Sequence, residues 1–268
     1  MTHFGYAVTA RHVIESIKSK STDGRVYLRT NLLGSVPEPI PSELGDWRFH
    51  PSDSTVDVAV IPGGIPVEHD HLLIPTSTFA TDEIVAREEI GLGEEVFLVG
   101  LFSEHIGKKR NTPIVRVGNI AAMPEEPVQT PSLGPIEAYL VEARSIGGLS
   151  GSPVFVHLGL VRVKEGRPIF ARAKTGVFYL LGLMHGHWDR KVPDIDSAVD
   201  DVIHETVNMG IAVVVPAKKI LEVIDQPELS DERKRIEEER SKTRGESKSP
   251  TTSQTIASRR LESAIGQP

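Results

Sequence analysis

Cysteine is absent from this chain, which rules out disulfides and thiolate metal sites. A framework without disulfides suits a reducing compartment, so a cytoplasmic location is expected. Long hydrophobic runs are also missing. No apolar stretch approaches the roughly 20 residues that span a bilayer, and the N-terminus shows no basic stretch followed by an apolar segment of the signal-peptide kind. Basic residues are not in excess either. The formal net charge is −7, the wrong sign for a general nucleic-acid binder, which usually carries a basic face. No internal repeat recurs at a fixed period.

Short valine-rich runs bounded by Gly, Pro and Asn recur up to about Asp225. They include Gly5-Tyr-Ala-Val-Thr, Arg25-Val-Tyr-Leu-Arg, Val56-Asp-Val-Ala-Val-Ile, Glu95-Val-Phe-Leu-Val-Gly and Ile114-Val-Arg-Val-Gly. Ala138-Tyr-Leu-Val-Glu-Ala, Pro153-Val-Phe-Val, Val177-Phe-Tyr-Leu-Leu-Gly-Leu and Gly210-Ile-Ala-Val-Val-Val follow. Runs of this length and composition are strand signals. Many short strands without alternating helices predict an all-β sandwich or barrel. The 268 residues suffice for one large domain or two small barrels sharing a core.

Two segments predict helices. One is short, around Ala10–Lys18. The other is Pro216–Ile224, where Ala217, Ile220, Leu221 and Ile224 fall on one helical face behind a proline suited to a first turn. From Gln226 the composition turns charged and Ser/Thr-rich. Asp231/Arg235 and Glu238/Lys242 are acid-first i,i+4 pairs, so a short solvated helix fits there. The rest of 226–268 has too little apolar content to order itself.

The run Arg144-Ser-Ile-Gly-Gly-Leu-Ser-Gly-Ser-Pro-Val-Phe demands unusual backbone, because its glycines permit positive φ and close approach. It fits either a turn between strands or a nucleophile, Ser150, whose hydroxyl needs a base. Backbone N–H groups of Gly148 and Ser150 can serve a developing oxyanion if the chain curls there. The esterase elbow Gly-x-Ser-x-Gly fits poorly. Ser152 takes the place of its second glycine, and a strand-like run follows.

Upstream, His12 follows an apolar strand in Ala7-Val-Thr-Ala-Arg-His-Val-Ile. It suits either a structural histidine or a base held at the end of an element. In Thr55-Val-Asp-Val-Ala-Val-Ile, alternation puts Val56, Val58 and Val60 on one face and Asp57 with Ala59 on the other. Asp57 then faces either solvent or, buried, a hydrogen-bonding partner such as an imidazole.

With His, Asp and Ser in this order, the chain resembles chymotrypsin- and trypsin-like serine proteases, in particular the bacterial branch. Val-Thr-Ala-Arg-His-Val, Val-Asp-Val-Ala-Val-Ile and Gly-Leu-Ser-Gly-Ser-Pro-Val-Phe carry the resemblance, which covers residues 4–225. It implies two antiparallel six-stranded β-barrels, roughly 1–95 and 96–215, followed by a C-terminal helix and a disordered tail. It implies a serine endopeptidase acting on protein or peptide substrates without a cofactor. His12 would be general base then acid, Asp57 its orienter and Ser150 the acyl acceptor. Gly148 and Ser150 would supply the oxyanion hole.

Some features depart from the family pattern. Only three residues precede Phe4, so the first barrel is expected to lack its N-terminal strand. Leu149 stands where animal digestive members have an aspartate, so their zymogen switch is not expected. Arg144 falls near the floor of the family's specificity pocket, and His185 and His187 near its opposite wall. A buried Arg144 would favour acidic residues on the acyl side of the cut. His69-Asp-His71 and His185-Gly-His187 have ligand-like spacing, but without a His-Glu-x-x-His motif no metal is expected. Two other readings stay open: a catalytically silent protease fold that binds, and an esterase using Asp194, Asp196 and His204 after Ser150.

Overall fold

The computed structural model describes residues 3–101, 107–130, 133–143, 148–164, 167–170, 176–192 and 205–246. The chain opens with β1 (Tyr6–Thr9), α1 (Arg11–Lys18), β2 (Arg25–Leu32), β3 (Glu38–Glu43), β4 (Arg48–Phe49), β5 (Ala59–Pro62) and β6 (His69–Asp70). After α2 (Asp82–Glu88) come β7 (Glu95–Leu101), β8 (Pro113–Ala122), β9 (Val128–Thr130), β10 (Gly134–Ile136), β11 (Tyr139–Glu142) and β12 (Pro153–Leu158). Then β13 (Val161–Lys164), β14 (Arg167–Phe170), β15 (Val177–Val192) and β16 (Glu205–Pro216) lead into α3 (Ala217–Ile224) and α4 (Pro227–Glu246).

The protein is mostly β, and its C-terminal half is a closed antiparallel barrel. Its strand order is β11-β16-β15-β12-β7-β8, with β8 pairing back onto β11. Period-two alternation fills it. Val96 and Leu98 of β7, Val154 and Val156 of β12, and Val141 of β11 all face one core with Leu181, Met184 and Val214.

The N-terminal half, expected as a barrel short of its first strand, is not closed among the described residues. Among the described residues its strands form two open sheets, β1-β5-β4 and β3-β2-β6. The sequence of β3 supplies a reason. Pro39 and Pro41 occupy alternate positions of a strand whose register against β2 is Pro41↔Tyr27 and Pro39↔Arg29. Both therefore lack an N–H on the same edge, and that edge cannot donate to a further strand. The strands β4 and β6 are only two residues long. A small core of Ile14, Val26, Trp47 and Ala59 fills this half.

A third core joins the halves. Ala10, Val56, Val58 and Val60 pack with Leu180, Leu183 and Val215 of the barrel and with Ala217, Ile220, Val223 and Ile224 of α3. The apolar face read from the sequence of α3 thus closes the seam. The start of α4 belongs to this same compact unit, residues 1–230, with Leu229 buried. Asp231–Glu246 continues as a charged helix carrying an Asp231–Lys234 ion pair at 3.0 Å. It is longer than the short helix expected there, and residues 247–268 lie outside the described residues.

Candidate active site

The ladder between β1 and β5 brings His12 and Asp57 together. Thr9 pairs with Ala59, so the residues after Thr9 and those before Ala59 sit at the same end of an antiparallel ladder. There α1 begins with Ala10 at its N-cap and no side-chain cap of its own. Asp57 takes over that role from 45 residues away: its Oδ1 accepts the His12 backbone N–H at 2.9 Å. This satisfies one of the donors that a helix start leaves free. Its Oδ2 lies 2.7 Å from His12 Nδ1. The valine alternation holds. Val56, Val58 and Val60 enter the seam core, Ala59 faces the other core, and Asp57 is 0% exposed.

A second ladder positions Ser150. The strands β12 and β15 pair with Pro153 opposite Leu183, and the pairing runs on past β12. Gly151 N–H donates to Met184 O at 2.8 Å, and Met184 N–H donates to Ser152 O at 2.9 Å. Between them the chain folds into a β-turn closed by Ser152 N–H to Leu149 O at 3.0 Å. Gly151, third in that turn, has φ 83°, which fits a type II turn with Ser150 at its corner. The turn is anchored on both sides. Leu149 is buried in the barrel core. On the other side, a Cβ on Gly151 would collide with Thr9 Oγ1 and crowd the Ala10 nitrogen. The serine turn therefore rests directly on the end of β1 that leads to His12. Gly148 has φ 93°.

The Ser150 hydroxyl donates to the backbone carbonyl of His185 at 3.0 Å. His185 differs from its expected place on a pocket wall. Its side chain turns to Asp57, with Nδ1 2.6 Å from Oδ2, and the residue is 8% exposed. One carboxylate oxygen thus faces two imidazoles, whose rings meet edge to face with centroids 5.3 Å apart. Burial alone pushes the Asp57 carboxyl up. Hydrogen bonds from the His12 and His185 rings, with the charge and backbone N–H of His12, outweigh it and hold the carboxyl below the ordinary carboxylate value. An ionised carboxylate has no proton to give, so both Nδ1 atoms are the donors. A ring that donates from Nδ1 keeps its Nε2 lone pair whenever it carries that one proton.

The other expected residues have separate fates. Arg144 lies outside the described residues, as do Asp194, Asp196 and His204. His187 is half-buried on β15, two residues beyond His185. His69 Nδ1 lies 2.7 Å from Thr30 Oγ1, and His71 Nδ1 donates to His69 O at 2.8 Å. Local bonds therefore occupy that His-x-His pair. Among the described residues, one cluster has metal-ligand character: the ligand atoms of His12, Asp57 and His185 all lie within 4.8 Å of one another. No described helix is long and apolar enough to cross a membrane.

No protein-family model matches the chain, and no curated protein matches it. Solved structures similar to it include Deg5, at 15% identity over 81% of this chain and 75% of that one, with a TM-score of 0.42. The MamO protease domain from Magnetospirillum magneticum, in its apo form, is similar at 16% identity over 81% of each chain, with a TM-score of 0.44.

Proposed function

We propose that the chain is a chymotrypsin-like serine endopeptidase. The observation that carries this reading is the pair of hydrogen bonds that His12 donates to Asp57, 2.9 Å from its backbone N–H and 2.7 Å from its ring. The Ser150 turn packs against the same end of β1. Asp57 stays ionised, fixes the Nδ1–H tautomer of His12 and leaves Nε2 free to take a proton. In this reaction the Ser150 hydroxyl gives up the His185 carbonyl, passes its proton to His12 Nε2, and Ser150 Oγ attacks the peptide carbonyl. Hydrogen bonds of this kind are commonly unformed before substrate binds. The N–H groups of Gly148 and Ser150 stabilise the oxyanion, each worth roughly 10²–10³ in rate. His12 next protonates the leaving amine, and water repeats the sequence on the acyl-enzyme.

A second reading is a protease fold that binds without turnover. The Ser150 hydroxyl bond to His185 O at 3.0 Å favours it. Labelling by a fluorophosphonate probe separates the two. The protease reading expects stoichiometric labelling that is lost in Ser150→Ala and in His12→Ala. A folded wild-type chain that never labels refutes it, and labelling that survives His12→Ala points instead to esterase-like wiring.

A further inference from the structure

We propose that His12, Asp57 and His185 form a binding site for a zinc-class divalent cation. Three ligand atoms of the right kind converge: His12 Nδ1 and His185 Nδ1 lie 2.7 and 2.6 Å from the same Asp57 oxygen. Tetrahedral bonds of about 2.0–2.2 Å to each atom set nitrogen and oxygen roughly 3.3–3.5 Å apart. Each ring therefore has to retreat by roughly 0.6–0.9 Å from its present hydrogen bond. Two imidazoles and a carboxylate suit zinc and its first-row neighbours, whereas magnesium and calcium prefer sites built from oxygen alone. Asp57 Oδ1 is already fixed by the His12 backbone N–H, the outer hydrogen bond that orients a ligating carboxylate. The His12 side chain is 34% exposed, so the cation enters from that side and a water completes four-coordination.

The protons balance without release. A cation on Nδ1 displaces the ring proton, which moves through solvent to Nε2 of the same ring. His12 Nε2 then holds a proton in place of its lone pair and cannot accept one from Ser150. The cation is therefore a reversible inhibitor, a consequence that rests on the protease reading; the binding itself does not.

The test titrates full-length Ser150→Ala protein with Zn²⁺ by calorimetry and with Co²⁺ by visible absorption. The expected result is one ion per chain with a tetrahedral Co²⁺ spectrum. His185→Ala and His12→Ala should each weaken zinc binding at least about ten-fold, His69→Ala should leave it unchanged, and millimolar Mg²⁺ should not compete. His12 is the more exposed of the two ligands, so its variant is informative even where His185→Ala does not fold. Binding that is indifferent to His12→Ala, or absent at millimolar zinc, overturns the site. In the wild type, zinc should slow fluorophosphonate labelling, and equal labelling rates at saturating zinc overturn the inhibition. A chain that labels neither with nor without zinc defeats the protease reading and leaves calorimetry to judge the cation site.

Discussion

Replacing Asp57 with alanine removes the acceptor of three hydrogen bonds at once: the His12 backbone N–H at 2.9 Å, His12 Nδ1–H at 2.7 Å and His185 Nδ1–H at 2.6 Å. A hydrogen bond to a charged group contributes about 1.5–3 kcal/mol. Adding three of them overstates the loss, because the desolvation cost of the carboxylate, several kcal/mol, vanishes with the side chain. His12 is partly exposed and can turn to water, whereas His185 is 8% exposed and keeps a stranded donor. The first of the three bonds is also the cap on the start of α1, so that loss is already counted. The net loss is about 3 kcal/mol. With a urea m-value of about 3 kcal/mol/M, the midpoint falls by about 1 M. A midpoint within about 0.2 M of wild type would refute the account of Asp57 as a buried, fully engaged anion.

Acidification supplies an independent arm. The Asp57 carboxyl is lowered in the fold from an ordinary value of 3.8. Its contribution to stability is therefore complete above that value and is lost as the pH falls through the lowered one. The stability gap between wild type and Asp57→Ala should persist down to about pH 5 and narrow below about pH 4. A gap that widens between about pH 4 and pH 2 contradicts the sign of the shift.

Other expectations can be checked individually. Gly151→Ala forces a positive φ on a residue with a Cβ and drives that Cβ into Thr9 Oγ1. It should cost at least about 1–2 kcal/mol in urea melts and slow fluorophosphonate labelling more than about ten-fold, and equal labelling would deny that the turn positions Ser150. Leu181→Ala empties a site with 0% exposure in the barrel core and should lower stability by about 2–5 kcal/mol by chemical denaturation. Burial pushes the Tyr139 hydroxyl up to about 12. An ultraviolet titration should therefore show a late-ionising tyrosine that disappears in Tyr139→Phe.

The strands were legible because their cause is local. Valine alternation fixes which face of residues 56–60 is apolar, and that alone assigned Val56, Val58 and Val60 to a core and Asp57 to the opposite side. The two longer-patterned helices were legible for the same reason. The helix α2 was not, because seven residues give too little periodicity. Its capping residue Thr81, which accepts from Ile84 N–H at 3.4 Å, was its available signal. The open N-terminal sheets depend on pairing partners, and the prolines of β3 mark only where pairing stops.

Read residue by residue, the sequence marks His12, Asp57 and Ser150 singly, and their expected grouping comes from the resemblance alone. His12 and Asp57 meet because β1 and β5 pair in one particular register, and Ser150 and His185 meet because β12 and β15 pair in another. A register slip by one residue in β15 would turn His185 away from the seam. The bulge between Met184 and Gly186 makes that register invisible to simple alternation. Nothing in either ladder specifies its relation to the other. The seam core between Val56–Val60, Leu180, Leu183 and α3 supplies that relation, together with the absence of a side chain at Gly151. The carboxylate of Asp57 is the point where the two ladders meet, since it bonds His12 from one and His185 from the other. A substitution in the seam, far from any reacting atom, should therefore separate the two histidines before it unfolds either sheet.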